Sequence, residues 1–274
     1  MTTRSAARPL VRQGASLPPP PAATCTSSPA AVVVVVPVHR NAATLPTLVA
    51  RLHATLDGRP DRWAVRLVVD ACPEGSGPVA TALASADPHV RVSLLSRNVG
   101  QHRALAQGLT AEPDATAWVC MDADLQDPPE AVPELLTRLH QGDVSGVFAG
   151  RRGAYETRGR RVTGTAHRWV LAALTGLPPD AGAFLAMDRR ARDAVVTAMS
   201  ELAAPSVVAA VGAARLPLAS TPVERAERGQ GTSSWTSRAR LRQSLRTLAW
   251  AARRGDPRRP AAQAMPAPER RPPG

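Results

Sequence analysis

Apolar runs of strand length alternate with segments of helical period from residue 31 to residue 149, and that alternation leaves few folds open. The run VVVVVPV at 32–38 is too short to span a bilayer and reads as a buried strand that Pro37 ends. Residues 44–56 then place Leu45, Leu48, Val49, Leu52 and Leu56 at helical spacing. The pattern repeats: a strand at 65–69, the turn-forming stretch ACPEGSGP, a helix at 79–86, a strand at 90–95 and a helix at 100–109. A strand at 118–121, a helix at 129–140 opened by prolines, and a strand at 144–149 complete it. Short strands alternating with helices predict parallel βαβ units, so the fold class is α/β, one domain with a mostly parallel central sheet flanked by helices.

Such sheets bind ligands at the carboxyl ends of their strands. Here the first strand runs into Pro37-Val38-His39-Arg40, the second into Asp70, and the fourth into Asp122-Ala123-Asp124. Two aspartates one residue apart suit a hard cation, Mg²⁺ or Mn²⁺, which takes one or two protein carboxylates and completes its shell with phosphate and water. In extended backbone the two side chains would point oppositely, so the chain is expected to bend at Ala123. An Asp-x-Asp by itself is also an ordinary solvated turn. The stretch MDADLQDPPE, after an apolar strand and before a proline-opened helix, gives it context.

That stretch resembles the signature of family 2 glycosyltransferases, which have the GT-A fold, and more narrowly the dolichyl- and polyprenyl-phosphate sugar transferases. SRNVGQHRALAQGL at 96–109, VVVVVPVHRNAATLPTLVARL at 32–52 and RAERGQGTSSWTSRARLRQSL at 225–245 resemble other segments of the same group, in order, over residues 31–250. The resemblance implies that Pro37, Val38 and Asp70 border the nucleoside, with Arg97 and Asn98 shaping the pocket. It places Asp122 near the ribose and metal, Asp124 on the metal, and Gln126 toward the metal or acceptor phosphate. Arg225 and Arg228, with Ser233 and Ser234, would cap the phosphates, a role that arginine forks and hydroxyls suit physically. The segment PDAGAFLAMDRR at 179–190 keeps Asp180, Gly182, Phe184 and Met187 of the family pattern, but Ala183 and Leu185 replace an Asp and an Arg. Asn41 and Ala71 likewise stand where the family carries acids. These departures fall on base recognition and acceptor handling.

Asp180 is the candidate general base. A hydroxyl acceptor must lose its proton, whereas a lipid phosphate with a second pKa near 6 is already largely ionised at neutral pH; an Asp before Gly is also a common turn former. His39, His102 and His167 have no metal-ligand spacing; His102 reads as pocket-lining, the others as surface or core.

Charge has to be located before it is interpreted. The formal net charge is +12, and all 34 basic residues are arginine. Residues 31–224 hold nineteen arginines and nineteen acids, whereas 225–274 hold twelve arginines against Glu227, Asp256 and Glu269. The body is neutral and the carboxyl-terminal end basic; with no aromatic-basic platform, no nucleic-acid partner is expected. Cys25, Cys72 and Cys120 have no metal-ligand spacing, nothing demands a disulfide, and Cys120 is expected in a core strand.

The expected organisation is a disordered Pro-rich lead (1–30), a glycosyltransferase catalytic domain (31–224), a basic phosphate-capping segment with an amphipathic helix (225–255) and a disordered tail (256–274). Within it, 151–161 is expected to be a mobile loop, 163–175 and 189–199 helical, and 180–187 a turn into a strand. The candidate helix at 236–254 carries Leu241, Leu245, Leu248 and Ala252 on one face, flanked by arginines, with Trp250 on the other side. Such a helix suits either anionic lipid or the domain surface. With no transmembrane run and no secretory signal, the expectation is a cytoplasmic protein, at most peripheral at the cytoplasmic membrane face. Three functions stay open: transfer of a sugar from a UDP- or GDP-linked donor to a polyprenyl phosphate, the same donor chemistry on a soluble acceptor (polysaccharide, peptide or secondary metabolite), and a non-catalytic nucleotide-binding subunit.

Overall fold

The computed structural model describes residues 30–152, 176–225, 247, 249 and 250. The expectations for 163–175, for most of the 151–161 loop, for Arg228, Ser233 and Ser234, for His167 and Cys25, and for most of the 236–254 helix lie outside these residues.

Among the described residues, seven strands form one sheet in the order β3-β2-β1-β4-β6-β5-β7. The strands are β1 (Val32–Val38), β2 (Trp63–Asp70), β3 (Val90–Leu95), β4 (Ala117–Cys120), β5 (Gly146–Arg152), β6 (Leu185–Asp188) and β7 (Leu218–Glu224). Pairing is parallel throughout β3-β2-β1-β4 and between β5 and β7; only β6 runs antiparallel, to β4 and to β5. The helices are α1 (Leu45–Leu56), α2 (Ser76–Ala86), α3 (Gln101–Ala111), α4 (Val132–Leu139, after a 3₁₀ turn at Pro129–Ala131), α5 (Arg189–Ser200) and α6 (Val207–Ala213).

The valine run does two jobs because side chains alternate across a strand. Val32, Val34, Val36 and Val38 enter one core with the buried faces of α1 and α4, while Val33 and Val35 enter a second core with α3, α5 and α6. A strand buried on both faces cannot alternate apolar with polar residues, which is why this segment is a continuous apolar run.

Pro37 does not end β1. The strand continues to Val38, with Pro37 opposite Val68 on β2. On the other side the β1–β4 register ends at Val35 opposite Cys120, so at Pro37 the missing N–H deprives no β4 partner. Elsewhere among the described residues the expected elements are present, with ends that differ by up to three residues. The five residues expected on the buried face of α1 are the five buried there.

α3 lies close against the sheet. A Cβ on Gly108 would collide with Val35 and Val68, so glycine is what permits this approach. At the far end of α3 the Leu109 carbonyl accepts from Arg192 Nε (3.0 Å) and Nη2 (2.7 Å), which ties the helix to α5. Cys120 is fully buried, as expected for a core strand, and Cys72 and Cys120 are both free thiols.

Candidate active site

β1, β2 and β4 run parallel, so their carboxyl ends lie at one edge of the sheet. β6 is antiparallel to β4 with Leu185 opposite Cys120, so the chain entering β6 arrives at the same edge. Three non-glycine residues there adopt left-handed backbone: Arg40 (φ 61°) after β1, Ala71 (φ 44°) after β2 and Leu125 (φ 61°) after β4. Each such residue costs on the order of 1 kcal/mol, and such strain gathers at functional sites.

The chain leaves the sheet at Cys120, and the expected bend follows. Ala123 is buried, and its carbonyl accepts from Thr44 Oγ1 at the start of α1 (2.6 Å). This contact anchors the turn between the two half-buried aspartates. Asp124 Oδ1 accepts from the Gln126 backbone N–H (3.1 Å), and Asp122 Oδ1 accepts from Gln101 Nε2. The donor set is oxygen only. The neighbouring Cys120 thiol packs into the second core, and burial, with the charge of Asp122 adding to it, pushes it up to about 12, so it stays protonated. Two half-buried carboxylates on an anchored turn, with no thiolate offered, fit Mg²⁺ or Mn²⁺.

Asp70 is buried, and both its oxygens are engaged by backbone: Oδ1 accepts from Val99 N–H (2.7 Å) and Oδ2 from Gly100 N–H (2.8 Å). The carboxylate therefore holds the residues that lead into α3, whose first residue is Gln101. Asp70 at the end of β2 thus sets the helix that reaches Asp122 after β4. Pro37 and Val38 are buried at the end of β1.

His39 belongs to this site and not merely to surface or core. Its Nδ1 lies 3.1 Å from the Asp70 carbonyl and 3.3 Å from Asn98 Nδ2. Arg97 and Asn98 are exposed on the loop between β3 and α3. At the position where the resemblance leads one to look for an acid, the Asn41 side-chain oxygen accepts from His39 N–H (3.2 Å), and the Asn41 N–H donates to Ser76 Oγ (3.2 Å). His102 is drawn inward on the first turn of α3. Its Nδ1 is buried without a hydrogen-bond partner among the described residues, and burial pushes the imidazole down to about 4.

On the β6 side, Ser220 Oγ donates to Asp180 Oδ2 (2.8 Å). A Cβ on Gly150 would run into both groups, so glycine at the end of β5 makes room for the pair. Arg225 Nε lies 2.6 Å from Oδ1 of the buried Asp127, which brings the start of the basic segment against the Asp122–Asp127 turn. The sequence reading assigned no role to Thr44, Gln101, Asp127, Gly150 or Ser220. Thr44, Gln101 and Asp127 stand inside the quoted motifs; Gly150 and Ser220 carry no local signal.

Residues 33–191 match the family described as Glycosyl transferase family 2. Among curated proteins, an undecaprenyl-phosphate 4-deoxy-4-formamido-L-arabinose transferase of Shewanella sediminis is 32% identical over 205 residues, 73% of this chain and 60% of that protein. The transferase of the same name from Salmonella paratyphi A is 33% identical over 119 residues, 43% of this chain. The match covers only 36% of that relative's length. Among solved structures, glucosyl-3-phosphoglycerate synthase from Mycobacterium tuberculosis, in complex with Mn²⁺, UDP and phosphoglyceric acid, superposes with a TM-score of 0.59 at 20% identity. That likeness covers 83% of this chain and 79% of the synthase, and it shows a shared GT-A fold.

Proposed function

Because the chain belongs to glycosyl transferase family 2, we propose that it transfers a sugar, with inversion, from a UDP- or GDP-linked donor to a polyprenyl phosphate. One observation carries the donor half of this reading. The Asp122–Asp124 turn sits at the carboxyl end of β4, anchored by Thr44 and engaged by Gln101. The acceptor half rests on the curated relatives, which are named as undecaprenyl-phosphate transferases.

In this reading Asp124 holds Mg²⁺ or Mn²⁺, and Asp122 serves both the metal and the ribose. The ion, when bound, supplies Lewis-acid stabilisation of the departing diphosphate. The chain's own residues orient the donor. Pro37, Val38, Asp70, Arg97 and Asn98 border the nucleoside, with Asp70 acting through the Val99–Gly100 backbone. Gln126 faces the acceptor phosphate. Arg225, near this turn through Asp127, caps the phosphates together with Arg228, Ser233 and Ser234, which lie outside the described residues. A phosphate acceptor arrives ionised, so Asp180 is then structural or metal-proximal; a hydroxyl acceptor would need Asp180 to take its proton.

Contact with the lipid acceptor is assigned to the basic end, residues 225–274, at an anionic membrane surface on the cytoplasmic side. Among the described residues no helix is long and apolar enough to cross a membrane. The soluble-acceptor alternative draws support from Leu185, which replaces the family arginine and is fully buried, so that position offers no charge to an acceptor phosphate.

The test is transfer of label from UDP- and GDP-sugars to undecaprenyl phosphate in anionic vesicles. Metal-dependent product formation, absent with EDTA and in Asp124→Ala, supports the reading. Donor turnover onto soluble acceptors alone would move the assignment to the second reading.

A further inference from the structure

At the opposite end of the strands, the last turn of α1, the end of α2 and the start of β3 bring two imidazoles and a carboxylate together. His53 lies on α1, Asp87 caps α2, and His89 immediately precedes β3. Each offers a ligand atom, and these atoms all fall within 4.8 Å of one another. We propose that His53, Asp87 and His89 form a binding site for a transition-metal ion of the zinc class, separate from the oxygen-only turn of Asp122 and Asp124.

Between His53 and Asp87 the spacing fits an ion better than direct contact. His53 Nε2 stands 3.9 Å from Asp87 Oδ2, too far for a hydrogen bond. It is inside the ~4.2 Å that two zinc–ligand bonds of about 2.1 Å can span. The carboxylate is already aimed: Asp87 Oδ1 accepts from the His89 backbone N–H (2.8 Å) and lies 3.0 Å from His89 Nδ1. The imidazoles are held by Trp63, the first residue of β2. Its ring stacks on His89 (centroids 4.0 Å, interplanar 12°) and meets His53 edge-on (5.3 Å, 87°). Rings fixed in this way do not have to be ordered when the ion arrives.

The helix ends agree. α1 and α2 both end here, so the negative ends of two helix dipoles face the cluster. Trp63 and His89, though not His53 or Asp87, also line a cavity of about 370 Å³. Of the arginines around that cavity, Arg59 pairs with Asp61, and Arg91 shares Glu112 with Arg66. A nitrogen-rich donor set of two imidazoles and one carboxylate selects zinc-class ions over Mg²⁺. A bound ion would clip α1 to the α2–β3 connection.

The experiment uses the full chain, stripped of metal by chelator, and measures Zn²⁺ uptake by equilibrium dialysis in excess Mg²⁺. Co²⁺ serves as a visible-absorption probe. The expected result is one Zn²⁺ equivalent in the wild type and in Asp124→Ala, weakened at least tenfold in His53→Gln and in His89→Gln, with the Co²⁺ bands lost in the same two variants. Melting without metal identifies a variant that fails to fold, and Asp87→Asn, which keeps the side-chain shape, then takes its place. Zinc uptake unchanged in the histidine variants, abolished by Asp124→Ala, or missing in the wild type would overturn the assignment. Each of these outcomes can be read whether or not the chain transfers sugar.

Discussion

The Asp70 carboxylate ties the end of β2 to the backbone that opens α3. With one oxygen replaced by an NH₂ group, Asp70→Asn would leave one of the two amides at 99 and 100 facing a donor. A buried donor without its acceptor costs about 1–3 kcal/mol, so urea unfolding is expected to show a loss of that size. Asp180 and Ser220 are coupled in the same way, through one hydrogen bond. Ser220→Ala removes the hydroxyl that holds one Asp180 oxygen, so with a hydroxyl acceptor kcat is expected to fall by roughly tenfold while KM for the donor stays put. Asp180→Asn separates the acceptor classes: a loss of roughly 10²–10⁴ with a hydroxyl acceptor, and a much smaller one with a phosphate. His102 supplies a pH signature. Its folded-state value near 4 lies below the ordinary 6.5, so the unfolded chain takes up the proton first as pH falls. Stability is unaffected by this group above about pH 6.5 and declines between there and pH 4. His102→Leu is expected to flatten that part of the stability profile, measured by urea unfolding across the window.

At the scale of elements, α3 is the helix whose placement most affects the site, since it presents Gln101 to Asp122 at one end and is tied to α5 at the other. Gly108→Ala would force the helix off Val35 and Val68. Overpacking of this kind costs about 1–3 kcal/mol, and the helix shift would also weaken donor binding in a nucleotide titration. The same scale shows what was legible in the chain. Helices with a distinct polar face, such as α1, are visible because apolar residues recur every third or fourth position. β1 is visible as an unbroken valine run. α6 and β7 were not foreseen. α6 is seven small, mostly buried residues, VVAAVGA, and a helix covered on most sides has no polar face to betray it. β7, LASTPVE, is a sheet-edge strand whose Pro222 reads as a breaker; an edge strand tolerates proline because one side makes no ladder. The extent of β1 past Pro37 was hidden for a related reason, since proline is harmless only where the neighbouring strand has already stopped. The Asp122–Asp124 pair could be read because metal chemistry is carried in the sequence itself. Ser220 and Gly150 could not, because their only link to Asp180 is the fold.

For the whole molecule, the sheet separates two cores and sets two chemistries at its opposite ends: oxygen donors after β4, imidazoles beside the start of β2 and β3. The basic end approaches the first of these through Arg225 and Asp127. Trp250, expected on the side of its helix away from the apolar stripe, is buried in the second core and donates to the Leu202 carbonyl (2.8 Å), so this part of the basic segment packs on the domain. The proposed function stands on Asp122 and Asp124 holding a hard cation for a nucleotide diphosphate. Titration of UDP and GDP into the full chain by calorimetry, with Mn²⁺ and with EDTA, tests it most directly. The expected result is saturable binding of one of the two nucleotides with Mn²⁺, weakened at least tenfold by EDTA and by Asp124→Ala, with Asp124→Ala still folded by circular dichroism. Binding of equal strength with and without metal, or in Asp124→Ala, would contradict the claim, as would a wild-type chain that binds neither nucleotide.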